Sequence, residues 1–202
     1  MRQPDEQEIA AASPALIALG SNLDGDAGPP YAMLRQAVTE IGNSIGVIAA
    51  QSRIWQTPCF PPGSGPDYAN AALCVSTTLA PAEILQRLHA IEAAHGRARD
   101  ARWGSRTLDL DLLALGELIL PDRATHDHWR DLPAVQQQMR APDQLILPHP
   151  RLQDRAFVLV PLAEVAPDWV HPILHRSVRQ MLADLPAADH AGIIALQQAG
   201  LP

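Results

Sequence analysis

The chain has 202 residues, 47% of them hydrophobic and 18% charged, enough for one domain with a full core and too few charges for a disordered chain. Its net charge of −7 argues against a general affinity for DNA or RNA, which needs a basic face. All 15 basic residues are arginine, so a P-loop lysine, a Schiff-base lysine and a kinase-type strand lysine are excluded, and any phosphate must be handled by arginine, histidine, backbone amides or metal.

The first 13 residues, MRQPDEQEIAAAS, are polar and acidic, predicting a flexible extension with no signal peptide and therefore a cytoplasmic protein. No apolar run approaches the ~18 residues that span a bilayer. Cys59 and Cys74 read as separate thiols. One domain is expected over residues 14–186, followed by an Ala-rich, loosely held tail over 187–202.

Ala15–Leu19 predicts a strand ending at Gly20, where Gly20-Ser21-Asn22 begins a turn-rich loop. Tyr31, Leu34, Val38 and Ile41 recur at helical spacing, predicting a helix over residues 30–43. Ile45–Thr57 reads as one strand, and Pro58–Pro66, with four prolines and two glycines, as an irregular loop. Tyr68–Thr78 is again strand-like. Pro81 suits the first turn of a second helix with Ile84, Leu88 and Ile91 on its apolar face and a stop at Gly96. Thr107–Leu115 predicts a strand, with Glu117–Leu120 folding back on it as a hairpin through Gly116. Residues 121–144 look like an inserted loop or small helix. A compact segment over Arg155–Val165 and a short helix near Val178–Leu185 follow. The order strand, helix, strand, strand, helix, strand predicts an α+β, ferredoxin-like βαββαβ fold: an antiparallel sheet with helices on one face, plus C-terminal additions.

The informative window is RARDARWGSRTLDLDLLAL, residues 97–115. In a strand, Leu108, Leu110 and Leu112 share one face, and Thr107, Asp109 and Asp111 the other, with the carboxylates roughly 7 Å apart. Aspartate is disfavoured in strands, and like charges on one face repel unless a cation lies between them. Taken alone, the pair fits a solvated sheet face better. Upstream, however, Arg97, Arg99, Arg102 and Arg106 crowd ten residues that also hold Gly104. Guanidinium groups make bidentate phosphate contacts and keep their charge. Four of them feeding into a carboxylate pair read as a polyphosphate–metal arrangement. Trp103, in the same loop, either enters the core or stacks on a flat ligand. Tyr68 and Asn70 share a strand face, where they could stack on a heteroaromatic ring and read its edge, or be an ordinary half-buried tyrosine and turn asparagine. His149, between two prolines and six residues before Arg155, is either a surface histidine or a rigid phosphate contact.

Taken together, the strings ALGSNL at 18–23, TP at 57–58, DYANAA at 67–72, RWGSRTLDLDLL at 102–113, LPHPRLQDRAFVLVPL at 147–162 and EVAPDW at 164–169 resemble the 6-hydroxymethyl-7,8-dihydropterin pyrophosphokinase family. That resemblance implies transfer of pyrophosphate from ATP to a pterin hydroxymethyl group, with release of AMP, in tetrahydrofolate biosynthesis. It implies two Mg²⁺ ions on Asp109 and Asp111, and ATP contacts from Glu92, Arg97, Arg99, Arg102, Trp103, Arg106, His149 and Arg155. Arg97 and Arg106 are the expected direct phosphate ligands. The pterin is expected between Tyr68 and Phe157, near Asn22, Asn70, Thr57, Pro58, Phe60 and the closing Trp103. The substrates are then two small molecules, with no nucleic acid or membrane partner. The default is a monomer, with other folate-pathway enzymes as candidate contacts. Pro150 stands where some relatives carry tyrosine, and the arginine-rich loop is one residue shorter than in some. Because the match resumes on both sides of residues 121–144, that insertion is expected to be dispensable for chemistry. The competing reading is a catalytically silent nucleotide- or pterin-binding module of the same fold.

Overall fold

The computed structural model describes residues 11–59, 63, 65–95, 107–133, 136 and 139–196. Its strands are β1 (Ser13–Ser21), β2 (Val47–Gln51), β3 (Trp55–Thr57), β4 (Tyr68–Thr77), β5 (Asp109–Leu115) and β6 (Ile194–Ala195). They form one sheet in the order β5-β1-β4-β3-β6, with β2 also paired to β4, and the pairings are antiparallel. The helices are α1 (Pro30–Ser44), α2 (Pro81–Ala94), α3 (Arg123–Arg130), α4 (Ala156–Val165) and α5 (Val178–Asp184). None is long and apolar enough to cross a membrane.

Alternation along the strands divides the core in two. Ile17, Leu19, Leu73, Leu110 and Leu112 point to one face, where Leu34 and Ile41 of α1 and Ile84 and Leu88 of α2 cover them. Leu16, Ala72 and Leu113 point to the other and pack on Val158, Leu159 and Leu162 of α4 and Val178 and Met181 of α5. The expectation of helices on one face therefore holds for α1 and α2 only. The sequence AFVLVPLAEV explains α4: a helix apolar on nearly every side must be covered, and the second sheet face is where it is covered. A register shift between Leu16 and Ile17 places Leu113 as an extra residue in β5, so that two residues of β5 stand against one of β1 there.

Two expected elements come out differently. The strand expected over residues 45–57 is broken between β2 and β3. The Ser52 hydroxyl accepts the Ala72 amide at 2.9 Å, while Ile54 turns fully into the core. Residues 117–120 do not fold back on β5. Leu120 pairs with Leu147 through bonds of 2.9 and 3.2 Å, because the outer side of β5 is already taken: the His149 amide donates to the Leu113 carbonyl at 2.7 Å. Residues 187–196 of the tail are tied down as well: β6 pairs with β3, and the Leu196 amide donates to the Ile54 carbonyl at 2.9 Å.

The inserted segment contains α3. The Asp122 carboxylate accepts the Thr125 amide at 2.9 Å and so caps the helix. His126 of α3 is fully buried, with Nε2 3.0 Å from the Pro148 carbonyl, and its ring stands edge-on to that of His171 with centroids 5.8 Å apart. His171, also fully buried, accepts the Ile173 and Leu174 amides on Nδ1 at 3.2 and 3.3 Å. Burial, then His126, Arg130 and His175, push His171 down to about 4, and burial also lowers His126.

A histidine that resists protonation when folded binds its proton more readily when unfolded, so stability is full above the unfolded value and is lost as pH falls. For His171 that window runs from the ordinary imidazole value of 6.5 down to about 4. The loss amounts to roughly 3 kcal/mol across the window. Urea unfolding at about pH 7.5 and about pH 5 should show the midpoint falling, and a flat profile would contradict the neutral burial of this pair.

Candidate active site

The strand register builds a shallow trough on the sheet face that carries the two aspartates. Asp111 stands opposite Ala18 and Asp109 opposite Gly20 on β1. Gly20 in turn stands opposite Asn70 on β4. The middle of the row Asp109–Gly20–Asn70 has no side chain, and a Cβ on Gly20 would lie 3.1 Å from Asn70 Oδ1. Adjacent strands lie ~4.8 Å apart, so the floor between the carboxylate and the amide is roughly 10 Å wide, enough for a flat bicyclic ring.

Asn70 is held by donating to Thr57 Oγ1 at 2.7 Å, and both residues are buried. Tyr68 stands two residues before Asn70 on β4, opposite Thr57. Asn22 is buried and donates to the Pro66 carbonyl at 3.2 Å, tying the loop after β1 to the approach to β4. Asp67 accepts from Gln56 Nε2 at 2.8 Å and from the Cys59 amide at 3.4 Å, which fixes the turn around the exposed Pro58.

Asp111 faces Arg155, with Nη1 3.9 Å from Oδ2. The same guanidinium lies 5.6 Å from the centre of the Phe157 ring, which is 41% exposed. His149 accepts the Arg151 amide on Nδ1 at 3.2 Å, so its neutral ring carries the proton on Nε2. Loss of hydration, then the positive Arg155 and Arg151, hold it down to about 3, with Asp109 pulling the other way. Near neutral pH it is a fixed, uncharged N–H donor.

Beside this face lies a cavity of about 550 Å³ that reaches Asp111, Leu112, His149 and Arg151 and is closed on one side by Leu85 and His89 of α2. Glu92, two turns further along α2 from Leu85, does not line it. Its buried carboxylate accepts the Leu110 amide at 2.8 Å and so supports β5 from behind.

The structure thus brings Asp109, Asp111, His149 and Arg155 together at one end of the sheet, and Thr57, Tyr68 and Asn70 across the trough. Arg97, Arg99, Arg102, Trp103, Arg106 and Phe60 lie outside the described residues. Sequence reasoning passed over His89 and Arg151. His89 stands one turn after Leu85 on α2, a spacing that could have flagged it, and Arg151 lies inside the string at 147–162, two residues after His149. Among the described residues no group of three or more His, Cys, Asp or Glu gathers to hold a metal. Two neighbouring carboxylates suit Mg²⁺, which takes one or two and completes its shell with water and phosphate oxygen.

A mixed fold of helices on an antiparallel sheet, with a carboxylate pair, an arginine and a neutral histidine beside a cavity, is the setting of a nucleotide-using transferase. The likeness to solved structures is one of fold: Plasmodium falciparum HPPK-DHPS wild type superposes with a TM-score of 0.62 at 14% identity, over 88% of this chain and 45% of that one. The family model for 7,8-dihydro-6-hydroxymethylpterin-pyrophosphokinase (HPPK) matches residues 16–167. A 2-amino-4-hydroxy-6-hydroxymethyldihydropteridine pyrophosphokinase from Methylorubrum extorquens is 37% identical over 180 residues, covering 89% of this chain and 96% of the relative. Its counterpart from Synechocystis sp. is 37% identical over 169 residues, covering 83% of this chain and 74% of that one. The chain belongs to the 7,8-dihydro-6-hydroxymethylpterin-pyrophosphokinase family.

Proposed function

We propose that this chain transfers pyrophosphate from ATP to the hydroxymethyl group of 6-hydroxymethyl-7,8-dihydropterin, releasing AMP, in tetrahydrofolate biosynthesis. The observation that carries the reading is the row Asp109–Gly20–Asn70, in a chain whose family match runs over residues 16–167. It sets a phosphate-handling end and a ring-reading end on opposite sides of an open floor. The strand order and the placement of α1 and α2 support a ferredoxin-like description of the central unit.

In the reaction, the substrate hydroxyl oxygen bonds to the β-phosphorus of ATP. The bond from that phosphorus to the oxygen bridging it to the α-phosphate breaks, AMP leaves, and the hydroxyl proton passes to solvent. A loose transition state of this kind is served by placement and charge neutralisation more than by a strong base. Asp109 and Asp111 would hold Mg²⁺, two ions on the family's pattern, whose charge offsets that of the phosphates. His149 presents its Nε2 proton to a phosphate oxygen, and Arg155 adds a permanent charge beside Asp111. Arg97, Arg99, Arg102 and Arg106 are assigned to the polyphosphate, Trp103 to closure over the site, and Glu92, which does not line the cavity, to the support of β5 on the adenosine side. The pterin ring is assigned to the space between Tyr68 and Phe157, with Asn22, Asn70, Thr57, Pro58 and Phe60 at its edge. The working protein in this reading is a cytoplasmic monomer acting on two small molecules.

Product analysis with purified protein, Mg²⁺, ATP and the pterin tests the proposal. AMP and the pterin pyrophosphate should form one for one, only with both substrates and metal present. Nucleotide binding without AMP formation would favour the silent binding module, and ADP formation would overturn the reaction.

A further inference from the structure

The cavity beside Asp111 has one wall to which no role has yet been given. Trp129, in the last turn of α3, forms part of it, and Arg140, Asp143 and Gln144 continue it. All four belong to the inserted segment. The Arg140 guanidinium lies 5.5 Å from the centre of the Trp129 ring. The cavity's apolar sides come from Leu85, Leu112, Leu145 and Ile146.

The position of Trp129 is tied to the rest of the site. His126, one turn earlier on α3, is fully buried, with Nε2 3.0 Å from the carbonyl of Pro148, the residue before His149. Arg130, the next residue after Trp129, pairs with Asp127 at 2.6 Å and Asp131 at 2.8 Å, which stiffens the helix end. The indole and the His149 ring are thus carried by two segments anchored to each other, and both line one space. An apolar slot lined by an indole with a guanidinium over its ring, and by an amide and a carboxylate, fits a flat, hydrogen-bonding heterocycle. It reaches Asp111 and His149 but neither Tyr68 nor Asn70, so the heterocycle it fits belongs to the nucleotide and not to the pterin.

We propose that Trp129, with Arg140 beside it, is a specificity-determining residue for the nucleotide, its indole forming one wall against the purine base. This rests on the ATP-dependent reading above. The inserted segment then sets nucleotide affinity, while the rate of transfer on the saturated enzyme is set elsewhere, in keeping with an insertion dispensable for chemistry.

The test is calorimetric binding of ATP and AMP, with steady-state kinetics, on the full chain and on Trp129→Ala, Trp129→Phe and Arg140→Ala. In Trp129→Ala the Kd for both ATP and AMP should rise about tenfold, the order expected for loss of one aromatic stack on a base. The KM for ATP should follow, with kcat within about twofold, because uniform binding is what is removed. Arg140→Ala should weaken both nucleotides about threefold. Unchanged AMP and ATP affinity in a Trp129→Ala protein that melts like the parent overturns the proposal.

If that variant does not fold, emission decides. AMP should quench the tryptophan fluorescence of the parent clearly more than that of Trp129→Phe, which keeps Trp103, and equal quenching of both overturns it. A parent that binds AMP through Trp129 but forms no pterin pyrophosphate would sink the pyrophosphokinase reading and leave the nucleotide wall standing.

Discussion

Asp111→Ala is expected to fold normally and to lose pyrophosphoryl transfer. The side chain is half-exposed, and its ion pair with Arg155 is long at 3.9 Å. Exposed pairs of this kind contribute at most about 1 kcal/mol, and the substitution also relieves the repulsion between Asp109 and Asp111 on one face. The melting temperature should therefore move little. Turnover is another matter. With one carboxylate left, the site loses half of the protein oxygens proposed to hold the metal, and metal-stabilised charge is among the largest contributions such sites make. The kcat/KM for AMP formation should fall by about a thousandfold or more. Parental turnover in the folded variant would remove the metal assignment.

Gly20→Val tests the other half of the arrangement. A β-branched residue suits a strand interior, so β1 should still form. Its Cβ would stand 3.1 Å from Asn70 Oδ1, a contact that the amide can relieve by a small rotation. The two methyl groups would nevertheless rise from the floor between Asp109 and Asn70 and displace any ring lying there. Displacement of a reacting group by about 1 Å costs about a hundredfold in rate, so kcat/KM for the pterin should fall by that order. ATP affinity should change much less, because the cavity beside Asp111 does not include Gly20. Equal activity in parent and variant, measured at limiting pterin, would place the transfer somewhere other than this row.

The chemistry-bearing strand was readable from its pattern alone. Leu108, Leu110 and Leu112 are buried as their spacing requires, and Asp109 and Asp111 occupy the opposite face. Pro30 and Pro81 open α1 and α2, in keeping with proline's fixed φ and missing amide. What escaped was decided by partners remote in the chain. The break after β2 depends on the Ser52 hydroxyl meeting the amide of Ala72, twenty residues on. The pairing of Leu120 with Leu147 goes with the His149 amide occupying the Leu113 carbonyl, a partner remote in the chain. The second helical layer was signalled by the apolar content of α4, but strand alternation alone does not say that Leu16, Ala72 and Leu113 require a cover. Among the candidate residues, Asn70, Thr57, His149 and Arg155 were flagged by the strings that contain them. Trp129 was not, because it sits in a polar insertion where neither spacing nor neighbouring motifs point to the cavity beside Asp111.

The bonds made along the outer side of β5 have a further consequence. β5 ends the sheet, and a terminal strand ordinarily offers free amides and carbonyls to any extended chain it meets. Here the Leu110 amide is bound by Glu92 and the Leu113 carbonyl by the His149 amide. A foreign strand would have to displace a buried carboxylate and an anchored backbone segment to add there. The strand that carries both aspartates is thus guarded against edge-to-edge aggregation on the side where nucleotide is proposed to enter, and crowding in the cell would find no template for amyloid-like growth at those two positions.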